Sequence, residues 1–195
     1  MQFVDFLNEQ QMMRQFSIAQ IFLSLFVVAL GIEIGAGLYE TIVVLPLWTS
    51  APPDSVTAYY QHNAANPQFT LNAGGRFWMF ATPSVGLLAL ATLLSGFRTR
   101  PEHRQWRIAG TVLALIVVLS TFAWFVPNII RLNSKAVMAM SAEEVTKLTR
   151  AWVNLNWVRV TLYLAGWLSA LRALSIPSRA ESKITPNTPR LETDS

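Results

Sequence analysis

Four long apolar segments, separated by charged or polar connections, dominate the chain. They cover residues 21–47, 77–97, 106–128 and 152–174. A helix needs about 20 residues to cross the hydrocarbon core of a bilayer, so each segment is long enough for one span. The pattern therefore predicts an all-α fold, a four-helix transmembrane bundle that forms a single domain of residues 1–176.

The connections predict further local structure. Residues 98–107 join the second and third spans so tightly that these must be antiparallel neighbours. A polar segment that begins near Asp54 predicts a short surface helix. Ser141 and Glu144 have the spacing of a capping box, which predicts a helix that runs unbroken into the fourth span. Residues 177–195 are rich in Ser, Thr, Pro and charge and are predicted to form a disordered polar tail.

Composition agrees with a membrane environment. Apolar residues make up 52% of the chain and charged residues only 13%, whereas charged residues are about a quarter of a soluble protein. No cysteine is present, which excludes disulfides and thiolate metal sites. His62 and His103 both fall in connections, so haem ligation between spans has no candidates. We expect a multi-pass integral protein of the cell membrane, with the lipid bilayer as its main partner.

The basic residues predict the direction of insertion, because positively charged loops stay on the cytoplasmic side. The side that holds both termini carries nine of them: Arg14, Arg98, Arg100, Arg104, Arg107, Arg172, Arg179, Lys183 and Arg190. The opposite side carries five: Arg76, Arg131, Lys135, Lys147 and Arg150. This distribution predicts that both termini are cytoplasmic. Because the basic residues lie at the membrane boundaries, we interpret the net charge of +4 as a consequence of membrane topology. We expect no nucleic-acid partner.

Ionisable side chains within the spans are candidates for chemistry. Glu33 and Glu40 share one face of the first span, and Trp152, Asn156 and Arg159 share one face of the fourth. A charge inside the bilayer costs about 3 kcal/mol even on lenient scales, so these groups should face the bundle interior and find partners. From a rise of about 1.5 Å per residue, Glu40 and Arg159 lie at similar depths in the outer half. Whether Arg159 pairs with Glu40 or with Glu33 stays open.

Small and helix-breaking residues complete the prediction for this region. Three prolines lie toward the outer ends of their helices, namely Pro46, Pro83 and Pro127. Because proline removes a backbone donor, we expect these ends to splay and to open a pocket. Gly31, Gly35 and Gly37, with Ala36, predict a small-residue surface where another helix approaches the first span.

Several short motifs together resemble one family. They are Gly35–Glu40 with Pro46 and Trp48, Arg76–Trp78 with Pro83, and Asn154–Arg159. In this order they are similar to the anthrone oxygenase-like family of small four-helix membrane proteins, most of which have no assigned function. The resemblance covers roughly residues 15 to 175.

In characterised relatives, the resemblance implies oxidation of a polyphenolic anthrone to a quinone by molecular oxygen, with no metal or flavin cofactor. Such chemistry needs a base and a group that holds an oxyanion. Glu40 fits the base, and Arg159 with help from Asn156 fits the oxyanion holder. The further candidates for binding a small aromatic molecule are Glu33, Tyr39, Arg76, Trp78, Trp152 and Asn154.

Two other functions compete with this hypothesis. The Glu40 and Arg159 pair is also explained by a non-catalytic scaffold or accessory protein, in which an ion pair fixes helix register. A proton-coupled transporter of small solutes would use Glu33 and Glu40 as a relay along one helix face. The sequence decides neither whether the protein is an enzyme nor its oligomeric state.

Overall fold

The described part of the chain is helical. The computed structural model describes residues 2–65, 73–97 and 101–176. Its α-helices are α1 (Gln2–Tyr39), α2 (Leu45–Thr49), α3 (Asp54–Ala65), α4 (Ala73–Gly96), α5 (Pro101–Ser120), α6 (Val126–Leu132) and α7 (Ala142–Ser175). A short 3-10 helix, Lys135–Ala139, lies between the last two. The predicted tail of residues 177–195 lies outside the described residues.

Two wide helical turns precede prolines. The π-helical turn Glu40–Val44 joins α1 to α2, and the backbone hydrogen bond that closes it returns to the Glu40 carbonyl. Pro46 follows at once; in a regular helix its ring would clash with the carbonyl four residues earlier. The same arrangement joins α5 to α6 through Thr121–Phe125 ahead of Pro127. These prolines therefore widen the helices without ending them, and π-helical turns are frequent at functional sites.

Three helical stretches are long and apolar enough to cross a bilayer: Ile18–Thr49, Gly75–Gly96 and Pro101–Leu132. They show that the chain is a membrane protein. Helix α7 has 34 residues, which is ample length for a span, but it carries more polar side chains than the other three. That α7 crosses the membrane, that the termini are cytoplasmic and that the membrane is the cell membrane all stay predictions.

The four long helices close into a ring. Helix α1 packs against α4 and α7, and α5 packs against the same two helices. Going round the bundle, the order is therefore α1, α4, α5 and α7, which confirms the all-α bundle and the predicted pairing of the second and third spans. The middle of the ring is filled by apolar side chains, with Leu23, Phe26 and Leu30 of α1 against Val117 of α5 and Tyr163 of α7.

Helices α5 and α7 come close enough for backbone contact at two glycines. A Cβ atom added to Gly110 would lie 2.8 Å from the carbonyl oxygen of Gly166, and one added to Gly166 would lie 3.1 Å from the carbonyl oxygen of Gly110. The first distance is shorter than real Cβ contacts. Only glycine fits at Gly110 without moving a helix backbone.

Two of the three glycines predicted to form one packing surface on α1 face a neighbouring helix, and the third does not. A Cβ at Gly31 would lie 3.2 Å from the Trp167 side chain, and one at Gly37 would lie 3.7 Å from Val160, so both face α7. A Cβ at Gly35 would have no contact within 4 Å with a described residue outside its own stretch of helix. The prediction is wrong for Gly35, because that residue points away from the neighbouring helices.

The capping box is confirmed. The Ser141 hydroxyl accepts a hydrogen bond from the Glu144 backbone N–H at 3.2 Å, and the Glu144 carboxylate accepts one from the Ser141 N–H at 2.9 Å. The bond from the Ser141 backbone lowers the pKa of Glu144 below its ordinary value. From this start α7 runs unbroken to Ser175, as predicted.

One end of the bundle is closed by a second hydrophobic core, called here the cap cluster. Its buried members are Leu45, Trp48, Val56, Phe125, Leu132, Val137, Val145 and Trp152. The Trp152 ring meets Trp48 and Phe125 edge-on, with ring centroids 5.6 and 5.5 Å apart, and Val56 brings α3 over them. The helix ends here are packed by aromatic side chains, which corrects the expectation that they splay.

At the opposite end, Arg107 is buried and does not face solvent. Its guanidinium donates to the Ala19 carbonyl at 3.0 Å and to the Gln20 side chain at 2.9 Å, which ties α5 to α1. Nearby, a His103 ring nitrogen lies 3.2 Å from the Ala173 carbonyl. The sequence predicts both residues in a connection, because charges beside an apolar segment are typical of a membrane boundary; the structure shows them buried in the bundle instead.

Candidate functional site

Arg159 is the centre of the candidate site. Helix α7 places its guanidinium in the bundle, where the side chain is only 9% exposed. The guanidinium carbon lies 4.8 Å from the centroid of the Phe125 ring and 5.5 Å from that of Trp78. Cation–π attraction to two rings offsets part of the cost of removing the charge from water. The arginine is thus held between flat aromatic surfaces.

The Glu40 carboxylate faces this guanidinium, as the depth comparison predicts. Its Oε2 atom lies 4.0 Å from an Arg159 nitrogen, whereas a charge-assisted hydrogen bond spans about 2.7–2.9 Å. Within the described part of the chain, this oxygen is buried and has no hydrogen-bond partner. The Trp78 ring lies against the same guanidinium and so borders the space in front of the Glu40 carboxylate. The two opposite charges therefore attract each other but leave hydrogen-bonding capacity unused.

Asn156, about one turn before Arg159 on α7, is the third member of the cluster. It is fully buried, and its Nδ2 atom donates to the Thr41 hydroxyl at 2.6 Å. That hydroxyl donates in turn to the Gly37 carbonyl at 2.6 Å. The chain of hydrogen bonds fixes the Asn156 amide against α1, beside Glu40. Its Oδ1 atom has no partner among the described residues.

A row of unpaired polar atoms follows the same face of α7. Thr149 Oγ1, Trp152 Nε1 and Asn156 Oδ1 are buried and form no hydrogen bond with any described residue. Their spacing of three and four residues puts them in line with Arg159. Leaving a buried polar atom unsatisfied costs about 1–3 kcal/mol, and such groups in a native structure call for an explanation. A ligand, a water molecule or both would satisfy them.

Glu33 has a different environment. One carboxylate oxygen accepts hydrogen bonds from the Thr82 hydroxyl at 2.8 Å and from the Tyr163 hydroxyl at 3.0 Å. These bonds join α1, α4 and α7 below the Arg159 site. The ion pair that the sequence left open is therefore with Glu40, and Glu33 is a buried junction between three helices.

Of the remaining predicted binding residues, two lie at or next to the site and three are exposed on the surface. Trp78 lines the site, and Trp152 lies next to it in the cap cluster. Tyr39 is 62% exposed, and Arg76 and Asn154 are also exposed, so none of these three belongs to the cluster. Tyr39 directly precedes Glu40, and Arg76 and Asn154 lie two residues before Trp78 and Asn156. Residues one or two positions apart on a helix point in different directions.

Sequence reasoning missed four residues that shape the site: Thr41, Thr82, Phe125 and Tyr163. A signal existed for Tyr163, which lies four residues after Arg159 and therefore on the same face of α7. Thr41 follows Glu40 directly, but nothing local distinguishes it from other threonines in the spans. Phe125 belongs to the third span, and its contact with Arg159 depends on how the helices pack.

Fold and site together define a helical integral membrane protein with a carboxylate–guanidinium pair inside its bundle. The model of the family described as anthrone oxygenase matches residues 72–169, half of the chain. The chain therefore belongs to the anthrone oxygenase family. The matched segment includes Trp78, Asn156 and Arg159 but begins after Glu40. No curated protein and no solved structure is found to match the chain.

Proposed function

We propose that this membrane protein binds a small phenolic aromatic molecule of the anthrone type at Arg159 and Glu40 and oxidises it with molecular oxygen. The observation that carries the proposal is the incomplete ion pair. A buried guanidinium lies between two aromatic rings and faces a carboxylate 4.0 Å away that has a free oxygen. Membership of the family supports the choice of substrate class.

The site chemistry matches a phenol or enol. The oxygen of such a group, once deprotonated, is an anion that Arg159 can stabilise through its guanidinium donors. The Trp78 and Phe125 rings offer flat surfaces to the fused rings of the substrate. Asn156 Oδ1 and Trp152 Nε1 are buried atoms that can accept from and donate to further oxygen substituents.

The proposed reaction needs one base and one oxyanion holder. Glu40 takes a proton from the methylene carbon of the anthrone, and the electron pair moves into the ring system to form an enolate whose oxygen faces Arg159. The enolate is oxidised by molecular oxygen, which bonds to that carbon as a peroxide. The peroxide takes the first proton back from Glu40 and becomes a hydroperoxide. Loss of the second hydrogen as a proton, with cleavage of the O–O bond, then releases hydroxide and leaves a carbonyl, and the proton and hydroxide combine as water. One anthrone and one oxygen become one anthraquinone and one water.

The arrangement fits a site better than a scaffold. A buried ion pair that serves only to fix helix register is expected to have close, hydrogen-bonded geometry, because desolvation otherwise exceeds the attraction. Glu33, Thr82 and Tyr163 already connect the helices with short hydrogen bonds. The looser Glu40 and Arg159 pair adds little to that role.

Replacing Glu40 by glutamine is expected to slow oxygen uptake at least about 100-fold, because the base is lost while the size of the side chain is kept. The measurement uses protein in liposomes with 1,8-dihydroxyanthrone, an oxygen electrode, and protein-free liposomes to subtract spontaneous oxidation. Glu143→Gln makes the same change on an exposed residue at the start of α7 and should leave the rate unchanged. Equal rates for Glu40→Gln and the wild type would remove the proposed mechanism.

A further inference from the structure

Among the described residues, the side chains at the capped end of the bundle separate the site from water. Above Arg159, the Phe125 and Trp152 rings are in edge-to-face contact, and Trp48 extends the layer. These three side chains are buried, with at most 5% of their surface exposed. Below the site, the Glu33 junction and the apolar core fill the ring. A ligand that reaches Arg159 must therefore arrive from the side of the bundle.

Glu40 marks the side on which the site meets the surface. Its side chain is 23% exposed, whereas Arg159 is 9% exposed and Asn156 is fully buried. Exposed apolar side chains flank it on α1, namely Tyr39 and Val43, and α4 exposes Phe80 one turn after the exposed Arg76. This surface lies within two of the helical stretches that are apolar enough to cross a bilayer. The exposed edge of Glu40 therefore faces lipid.

The contacts of α1 show which two helices border this edge. Glu33 bonds to Thr82 of α4, and Trp78, one turn earlier on α4, lies against the Arg159 guanidinium that faces Glu40. Ala36 lies between the two glutamates, three residues after one and four before the other, so the same stripe of α1 faces α4. We call this border the α1–α4 seam. At its middle α1 has only the small, half-buried side chain of Ala36.

We propose that the ligand reaches Arg159 from within the bilayer, through the α1–α4 seam beside Trp78, and that the site therefore takes phenolic molecules dissolved in the membrane. This inference rests on the proposed function for the identity of the ligand. Apolar surroundings of the seam favour a flat, uncharged molecule that partitions into lipid, and the proton is lost only when the molecule meets Glu40. A charged, water-soluble phenol would have to lose its hydration to cross an apolar surface, which is unfavourable.

The first test needs no ligand. The chain has no cysteine, so Ala36→Cys carries a single nitroxide label in an otherwise native protein. In liposomes, power-saturation spectroscopy compares collisions of the label with oxygen, which dissolves in lipid, and with a water-soluble nickel chelate. We expect the oxygen collisions to dominate. A label reached mainly by the nickel chelate would show an aqueous opening, and a label protected from both would show a closed seam; either result overturns the inference.

The second test follows ligand arrival. The probe is 1,8-dihydroxyanthraquinone, added to liposomes that contain the protein, and quenching of tryptophan fluorescence gives its association rate. Ala36→Phe narrows the seam and should slow association about tenfold. Gly35→Phe places the same ring on the adjacent residue, around which nothing lies within 4 Å, and should bind at the wild-type rate.

The outcomes separate this inference from the proposed function. Equal association rates for the wild type and Ala36→Phe would show that the ligand uses another route, while the binding site itself would stand. A wild-type protein that does not bind the probe would count against the proposed function, and the nitroxide measurement would still decide whether the seam is open to lipid.

Discussion

Replacing Arg159 by glutamine is expected to weaken binding of 1,8-dihydroxyanthraquinone by about 10- to 100-fold. A hydrogen bond to a charged group contributes about 1.5–3 kcal/mol, and each 1.4 kcal/mol changes an equilibrium constant about tenfold. Within the described part of the chain, the Arg159 guanidinium is the cation that contacts both Glu40 and Trp78. Glutamine keeps donors but loses the charge. Titration of tryptophan quenching in lipid nanodiscs gives the dissociation constant.

The matched control is Arg150→Gln. It removes the same charge from the same helix, nine residues earlier, where the side chain is exposed, and it should leave binding unchanged. Thermal unfolding of both variants checks that the bundle is intact. An Arg159→Gln protein that is folded and binds the probe as tightly as the wild type would show that the guanidinium does not hold the ligand.

Replacing Gly110 by leucine is expected to prevent stable folding. A Cβ at this position would lie 2.8 Å from the Gly166 carbonyl oxygen and 3.2 Å from the Ala170 backbone nitrogen, so both obstacles are backbone atoms that cannot rotate away. Overpacking of a well-packed interior already costs about 1–3 kcal/mol when side chains can adjust, and here helices α5 and α7 must separate. The measurement is the yield of monodisperse protein in detergent, together with its unfolding temperature.

Gly35→Leu is the control for this experiment. It adds the same side chain to a glycine of α1 around which nothing lies within 4 Å, so the bundle should form normally. If Gly110→Leu folds and unfolds at the same temperature as Gly35→Leu, the close contact between α5 and α7 is not a requirement of the fold.

The helices and their pairing were predictable because they depend on local patterns. Apolar segments of membrane-spanning length located the long helices, and the spacing of Ser141 and Glu144 located the start of α7. Helix geometry also put Glu40 and Arg159 at similar depths, where an ionisable group in the bilayer needs a partner, but it left open whether Arg159 pairs with Glu40 or with Glu33. These inferences need only helix geometry.

The packing around the pair was not predictable from one sequence. Phe125 and Trp152 close the end of the bundle because α3 and two wide helical turns bring distant segments together. Prolines in apolar helices suggest kinks and open ends, but wide turns accommodate Pro46 and Pro127, and Pro83 lies inside the continuous helix α4. Arg107 was misplaced for a related reason: a basic residue beside an apolar segment usually marks a boundary, and only the neighbouring helix reveals that it is buried.

The most direct test of the central claim is the absorption spectrum of bound 1,8-dihydroxyanthraquinone at neutral pH. Hydroxyanthraquinones absorb at longer wavelength as phenolates than as neutral phenols, so the spectrum reports the protonation state in the site. The probe has no methylene hydrogen, so Glu40 can take a proton only from one of its hydroxyl groups. If Arg159 holds the resulting oxyanion, the bound probe shows the phenolate band, and Arg159→Gln abolishes that band. A fully bound probe that keeps the neutral spectrum would contradict the account.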